Sequence, residues 1–198
     1  MRNGPTLTRF AAVVIVVIES LLLSANGQSP SPATSAKASD STLPRKVVVP
    51  MSTVNRFFPD VTREASTGRN LTAVANAKAT RSVIYANSDS SKKVTITVDQ
   101  YPTASDASSA YQEAVAKSKS VTGFKPVPAE NLGQNAFVGT VTQGGETHIG
   151  LGALHGTLIV GATLAGYNPT PENTARLISL TREEERAAKA ALDRNRRK

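Results

Sequence analysis

The chain contains neither cysteine nor tryptophan, and aromatic residues make up only 5% of it. Without cysteine it cannot form disulfide bonds, thiolate metal sites, a cysteine nucleophile or a lipid-modified N-terminal cysteine. With so few aromatic residues, the core must be built mainly from valine, isoleucine, leucine and alanine. The 198 residues still allow one domain of about 150 residues, a size that buries roughly two-thirds of its surface and folds without covalent crosslinks.

Acidic residues are fewer than basic ones, 15 against 23, which gives a formal net charge of +8. Part of the excess lies in the C-terminal tail, in Arg194, Arg196, Arg197 and Lys198. This tail contains no aromatic residue, whereas proteins that bind single-stranded nucleic acid interleave basic and aromatic side chains. We therefore expect no nucleic-acid partner. The tail either improves solubility or makes a weak, salt-sensitive contact with an anionic surface.

Residues 1–27 have the organisation of a secretory signal. Two arginines precede an apolar run over 10–18, and Ala25 and Gly27 place small residues at a cleavage site. Glu19 interrupts the apolar region and leaves it shorter than the roughly 20 residues that a membrane-spanning helix needs. We predict cleavage after Gly27 and a secreted or periplasmic protein. The alternative is an uncleaved N-terminal segment that tethers the protein to a membrane.

Composition divides the remaining chain into three parts. Residues 28–43 are rich in serine, proline and alanine and predict a disordered linker. Residues 44–181 carry the apolar periodicities of strands and helices and predict one folded domain. Residues 182–198 predict a charged helix with a basic tail, in which Glu183, Glu184 and Glu185 lie on a solvated face.

The folded part alternates between strand and helix patterns. Val94, Ile96 and Val98 alternate with polar residues, which is typical of a strand with one buried face. Alanines and Tyr111 follow at the spacing of an amphipathic helix, and Thr170-Pro171 predicts the start of a second helix. The order of strands, helix, strands and helix predicts a single α+β domain, an antiparallel sheet with helices packed on one face.

Residues 146–166 predict a β-hairpin. Placing His155 and Gly156 at its tip sets Leu151 opposite Val160 and Gly150 opposite Gly161. Because side chains alternate along a strand, this register gives one aliphatic face and one face that carries the glycines.

The glycine-bearing face is where the sequence predicts a binding site. Glycine has no side chain to fill space, so another segment of the chain or a partner could approach the backbone closely. We predict that a small ligand or a protein binds at His148, Gly150, Gly152, Gly161 and Thr163.

No catalytic residue, metal site or cofactor is predicted. The two histidines, His148 and His155, are separated along one hairpin, too far apart to hold one metal ion. The sequence has no Gly-x-Ser-x-Gly elbow, and its glycines lack the Gly-Lys-Ser/Thr ending of a phosphate loop. These features favour a non-enzymatic binding or sensor-like domain. The alternatives are an envelope-attached structural protein held by the basic tail, and a hydrolase whose site is not recognisable.

Three motifs follow one another in the second half of the chain: VTITVDQY at 94–101, ASDASSAYQEAVAK at 104–117 and LGQNAF at 132–137. Followed by a hairpin and a C-terminal helix, this order resembles small secreted domains and lipoproteins of high-GC bacteria. Some of these are similar to the extracytoplasmic sensor domains of receptor kinases, others to PsbP/Mog1-type sandwiches. The resemblance implies an extracytoplasmic binding module. It assigns no functional residue, and the disulfides and lipobox cysteine of many such proteins have no counterpart here.

Overall fold

The computed structural model describes residues 42–67, 76–128, 135–143 and 145–196. The predicted signal, its cleavage point and the predicted linker up to residue 41 lie outside the described residues. Leu43, the last residue of that linker, is buried in the core at 3% exposure.

The described residues form strands and helices that confirm the α+β class. The strands are β1 (Arg63–Thr67), β2 (Ala79–Ala86), β3 (Lys93–Gln100), β4 (Lys125–Val127), β5 (Ala136–Gln143), β6 (Glu146–His155) and β7 (Leu158–Ala165). The helices are α1 (Met51–Phe57), α2 (Ala104–Ser120) and α3 (Pro171–Arg196), and a 3-10 turn covers Arg45–Val47. All neighbouring strands pair antiparallel, in the order β1-β2-β3-β7-β6-β5-β4.

The helices are divided between the two faces of the sheet. Val160 and Leu164 of β7 pack in the large cluster that includes α3, whereas Ile159 packs with Tyr101 and the alanines of α2. Since successive strand residues point to opposite faces, α2 lies on the face opposite α3. From the sequence we expected all helices to pack on one face of the sheet. The difference arises because α3 and the segment before β1 already fill the aliphatic face, and α2 buries its small apolar stripe on the other.

The aliphatic face holds most of the core. Phe58, Ile149, Leu164, Leu177 and Leu180 are wholly buried there. Removing a side chain of this size from water stabilises the fold by about 1.5–3 kcal/mol. This face therefore holds α3 far more strongly than the opposite face holds the alanine-lined α2.

The hairpin of β6 and β7 forms as predicted, but the predicted register was wrong by two residues. Gly152 pairs with Gly161, and His148 pairs with Ala165 rather than with Thr163. The tip is Gly156-Thr157, and Gly156 has φ +59°. A two-residue turn of this kind needs φ > 0 at its first central position, which glycine accepts more readily than histidine. Because the shift is an even number of residues, the aliphatic and glycine faces remain as predicted.

Two phenylalanine rings occupy space left by glycines on the face that carries α2. The ring of Phe124 lies where a Cβ atom of Gly139 would be, so these two residues pack without a gap. A Cβ atom on Gly152 would lie 2.8 Å from the ring of Phe137. The glycines of β5 and β6 therefore allow close packing of the chain's own aromatic side chains.

Candidate functional site

The predicted ligand-binding residues lie on the face of the sheet that α2 partly covers. Gly150 pairs with Thr163 and Gly152 with Gly161, so these four form one small patch at the centre of the hairpin. His148 lies further along β6, beyond Gly150. The structure thus brings the glycines and Thr163 together and sets His148 at the edge of the patch.

Part of this patch is covered from within the chain. The Phe137 ring lies over Gly152 and contacts Tyr111 of α2 edge to face, with ring centroids 6.0 Å apart. Gly150 and Thr163 remain half-buried. Ligand binding at this patch stays a prediction, with less open surface than the bare glycines suggest.

His148 is buried at 4% exposure. Among the described residues its Nε2 atom has no hydrogen-bond partner, and the Glu146 carboxylate lies 3.7 Å away. Burial lowers the pKa of His148, the charge of Glu146 opposes that shift, and Lys93 adds to it. His155 ends the same strand. Across the described ranges, no three acidic or histidine side chains converge on a metal position.

A row of polar side chains is buried where β2 and β3 meet on this face. Ser82 and Thr97 share a hydrogen bond of 3.1 Å. Next to them Asp99 is 2% exposed, and its Oδ1 atom has no partner within the described part of the chain. Burial raises the pKa of Asp99 to about 7, against the opposing effect of the Thr80 hydroxyl. The row is a buried polar layer inside the fold.

A second buried carboxyl fixes the segment that precedes α1. Glu184 is wholly buried, contrary to the predicted solvated face, and its Oε2 atom accepts a hydrogen bond of 2.8 Å from the Val49 backbone. Tyr85 donates to the Val49 carbonyl, and Arg45 donates to Tyr85 and to Glu64. This network ties α3, β1 and β2 to the N-terminal end of the described fold.

The charge state of Glu184 makes stability depend on pH. Burial raises its pKa from 4.5 to about 8, against opposing effects of the Val49 N–H and Arg45. A carboxyl with a raised folded-state pKa contributes its full stability below the unfolded pKa and loses it as pH rises through the folded pKa, by up to about 1.4 kcal/mol per pH unit.

We therefore predict that Glu184→Gln flattens the fall in unfolding free energy between pH 4.5 and about 8. The measurement is urea denaturation across that pH range. Glu183→Gln, which changes a half-exposed neighbour paired with Arg186, is the matched control and should keep the wild-type slope. A wild-type slope in Glu184→Gln would contradict the buried position of this carboxyl.

A polar opening lies at the end of the sheet where α3 begins. It encloses about 440 Å³ between the loop after α1, the turn between β2 and β3, the loop after β7 and the first turns of α3. This volume falls within the roughly 300–1,000 Å³ of small-molecule sites. We call it the end cleft.

Asp60 organises one wall of the end cleft. Its Oδ1 atom accepts a hydrogen bond of 2.9 Å from the Tyr167 hydroxyl, and its Oδ2 atom accepts one of 2.7 Å from Lys92 Nζ. Lys92 Nζ also lies 5.2 Å from the centre of the Tyr167 ring. Burial alone would raise the pKa of Asp60, but the hydrogen bonds from Lys92 and Tyr167 outweigh it and lower the pKa. Asp60 is therefore ionised at neutral pH.

The first turn of α3 forms the opposite wall. Thr170 caps the helix by accepting a hydrogen bond of 3.2 Å from the Asn173 backbone, and the Asn173 side chain donates to the Asn168 carbonyl at 2.9 Å. Arg176 pairs with Glu172 one turn apart, and both residues line the cleft. These contacts hold the polar groups of this wall in fixed positions.

Gly166 allows two of the segments around the cleft to touch. It has φ +74°, and a Cβ atom there would overlap the Ser91 carbonyl oxygen. The loop after β7 therefore rests directly on the turn between β2 and β3, beside the cleft.

We predict that Gly166→Ala destabilises the protein more than Gly145→Ala. Both glycines have positive φ, at +74° and +84°, so both variants carry backbone strain of about 1–2 kcal/mol. Nothing lies within 4 Å of a Cβ on Gly145, whereas at Gly166 overpacking adds a further cost of about 1–3 kcal/mol. Urea midpoints measure the difference. Equal midpoints would show that the loop after β7 does not rest on the turn between β2 and β3.

The sequence did not reveal the end cleft. Asp60 and Tyr167 are 107 residues apart, and neither belongs to a recognisable motif. The one local signal was the helix start at Thr170-Pro171. It predicts where α3 begins but not which residues lie across the cleft from that point.

No protein-family model matches the chain, and no curated protein matches it. Among solved structures, it is similar to the extracellular domain of PknH from Mycobacterium tuberculosis, with a TM-score of 0.52 and 13% identity over 71% of this chain and 93% of that chain. It is also similar to LpqN, involved in cell envelope biogenesis of the same organism, with a TM-score of 0.31 and 15% identity over 62% and 77% of the two chains. The second similarity is too low to carry an argument. The first shows that this protein shares its fold with an extracellular domain.

Proposed function

We propose that the protein is an exported domain that binds a ligand outside the cytoplasm without transforming it, and that the ligand site is the end cleft. The observation that carries the proposal is the Asp60–Lys92–Tyr167 arrangement, which holds polar groups from three distant segments around one opening. Fixed polar groups at the mouth of a cleft are the usual basis of ligand orientation and specificity.

Two observations support the extracytoplasmic location. Residues 1–27 have the pattern of a secretory signal. The fold is shared with the extracellular domain of PknH over 93% of that domain. Among the described helices, none is both long and apolar enough to cross a membrane.

The charge state of the cleft supports binding rather than catalysis. A general acid or base works best when its pKa lies near the operating pH. The hydrogen bonds from Lys92 and Tyr167 lower the pKa of Asp60, away from neutrality. Burial raises the pKa of Tyr167, so its hydroxyl stays protonated and continues to donate to Asp60. Both groups suit a fixed hydrogen-bonding role.

The end cleft is a stronger candidate than the glycine patch for a structural reason. The Phe137 ring lies over Gly152, and Phe124 lies over Gly139 of the adjacent strand. In the end cleft, by contrast, Arg176, Glu172 and Lys92 keep a substantial part of their side chains in solvent.

We predict that a set of small neutral, cationic, anionic and apolar fragments, added one at a time to the full chain labelled with ¹⁵N, contains binders that shift the amide signals of residues 60, 92, 166–168 and 173. Arg176→Ala should weaken such binding at least about fivefold, because it removes a donor at the cleft. Arg186→Ala breaks the exposed Glu183 ion pair of the same helix, outside the cleft, and should leave binding unchanged. Shifts confined to the glycine patch, or absent altogether, would contradict the proposal.

A further inference from the structure

The charges that line the end cleft cancel in pairs. Asp60 binds Lys92 at 2.7 Å, and Glu172 binds Arg176 one helical turn away. A charged ligand would have to separate one of these pairs or sit beside a group of its own sign. The cleft therefore presents no net charge that would attract an anion or a cation.

The start of α3 does not turn the cleft into an anion site. A helix N-terminus attracts anions through its unpaired N–H groups. Here Pro171 has no N–H group, and the Asn173 N–H is already bound by Thr170. Glu172 in the first turn and Asp60 across the cleft also place carboxylate oxygens, which an anion would avoid, beside that helix end.

The lining nevertheless contains many hydrogen-bond donors and many acceptors. A carboxylate offers about four lone-pair positions, an ammonium three donors and a guanidinium five. Asp60, Lys92, Arg176 and the amide side chains of Asn168 and Asn173 thus offer acceptors and donors side by side. A hydroxyl group donates and accepts at once, and neighbouring hydroxyls match planar carboxylate, amide and guanidinium groups.

Apolar surface completes the lining. Pro59 and Tyr167 belong to the lining, and Tyr167 is held by an edge contact with Phe58, with ring centroids 5.3 Å apart. A ligand with hydroxyls along its edges and C–H groups on its faces has the complementary distribution. We propose that the end cleft binds a neutral, polyhydroxylated ligand of the carbohydrate class. This inference rests on the proposed function, since it names the ligand of the same site.

Three glucose derivatives of different charge test the ligand class. Methyl glucoside is neutral, glucosamine is cationic and glucose 6-phosphate is anionic. Titrated separately into the ¹⁵N-labelled full chain, methyl glucoside should shift the amides of residues 60, 92 and 166–168, and the two charged sugars should bind at least about tenfold more weakly, a difference of about 1.4 kcal/mol.

Asp60→Asn tests the charge argument itself. The substitution preserves shape but leaves the Lys92 charge uncompensated. It should weaken methyl glucoside binding and strengthen glucose 6-phosphate binding, which reverses the wild-type preference. Arg186→Ala should not change the order, because it lies outside the cleft.

The outcomes separate the ligand class from the site. Tighter wild-type binding of glucose 6-phosphate or glucosamine overturns the neutral ligand. Cleft binding by fragments but not by any of the three sugars overturns the carbohydrate class. Either result leaves the site standing. Cleft signals that respond neither to the sugars nor to any fragment overturn both.

Discussion

The alternation of side chains along β6 and β7 is the constraint on which the rest of the structure depends. Ile149 and Leu151 must face one way, and Gly150 and Gly152 the other. The aliphatic side of this hairpin forms the core with α3, and the glycine side leaves room for Phe124, Phe137 and α2. A one-residue slip would exchange the two faces and lose both sets of contacts at once.

The same sheet explains where a ligand can be bound. The glycine face is partly closed by the chain's own rings, so its open surface is small. At the end of the sheet, three connections meet, and Gly166 lets one of them rest on another. Asp60, Lys92 and Tyr167 then fix one wall through short polar contacts, and the start of α3 supplies the other. The proposed binding site is therefore built from loops and a helix start that the sheet holds in position.

Local patterns predicted the elements well, whereas long-range contacts were beyond the sequence. The alternation from Val94 to Val98 marked β3, and the alanine spacing marked the buried side of α2. The hairpin register was missed by two residues because the turn type, set by Gly156, outweighed the choice of a histidine tip. Glu184 was placed in solvent because its partner, the Val49 backbone, lies 135 residues away. The end cleft was missed for the same reason, and the predicted glycine site was assigned without knowing which side chains would cover it.

The central claim is that this chain's own aromatic rings cover part of the glycine face, which favours the end cleft as the proposed ligand site. The most direct measurement is the nuclear Overhauser effect between the ring protons of Phe124 and Phe137 and the Hα protons of Gly139 and Gly152. The structure predicts a strong effect from Phe124 to Gly139 and from Phe137 to Gly152, together with upfield ring-current shifts of those Hα signals. Glycine Hα signals at ordinary positions, without effects to either ring, would show that the face is open and would contradict the account.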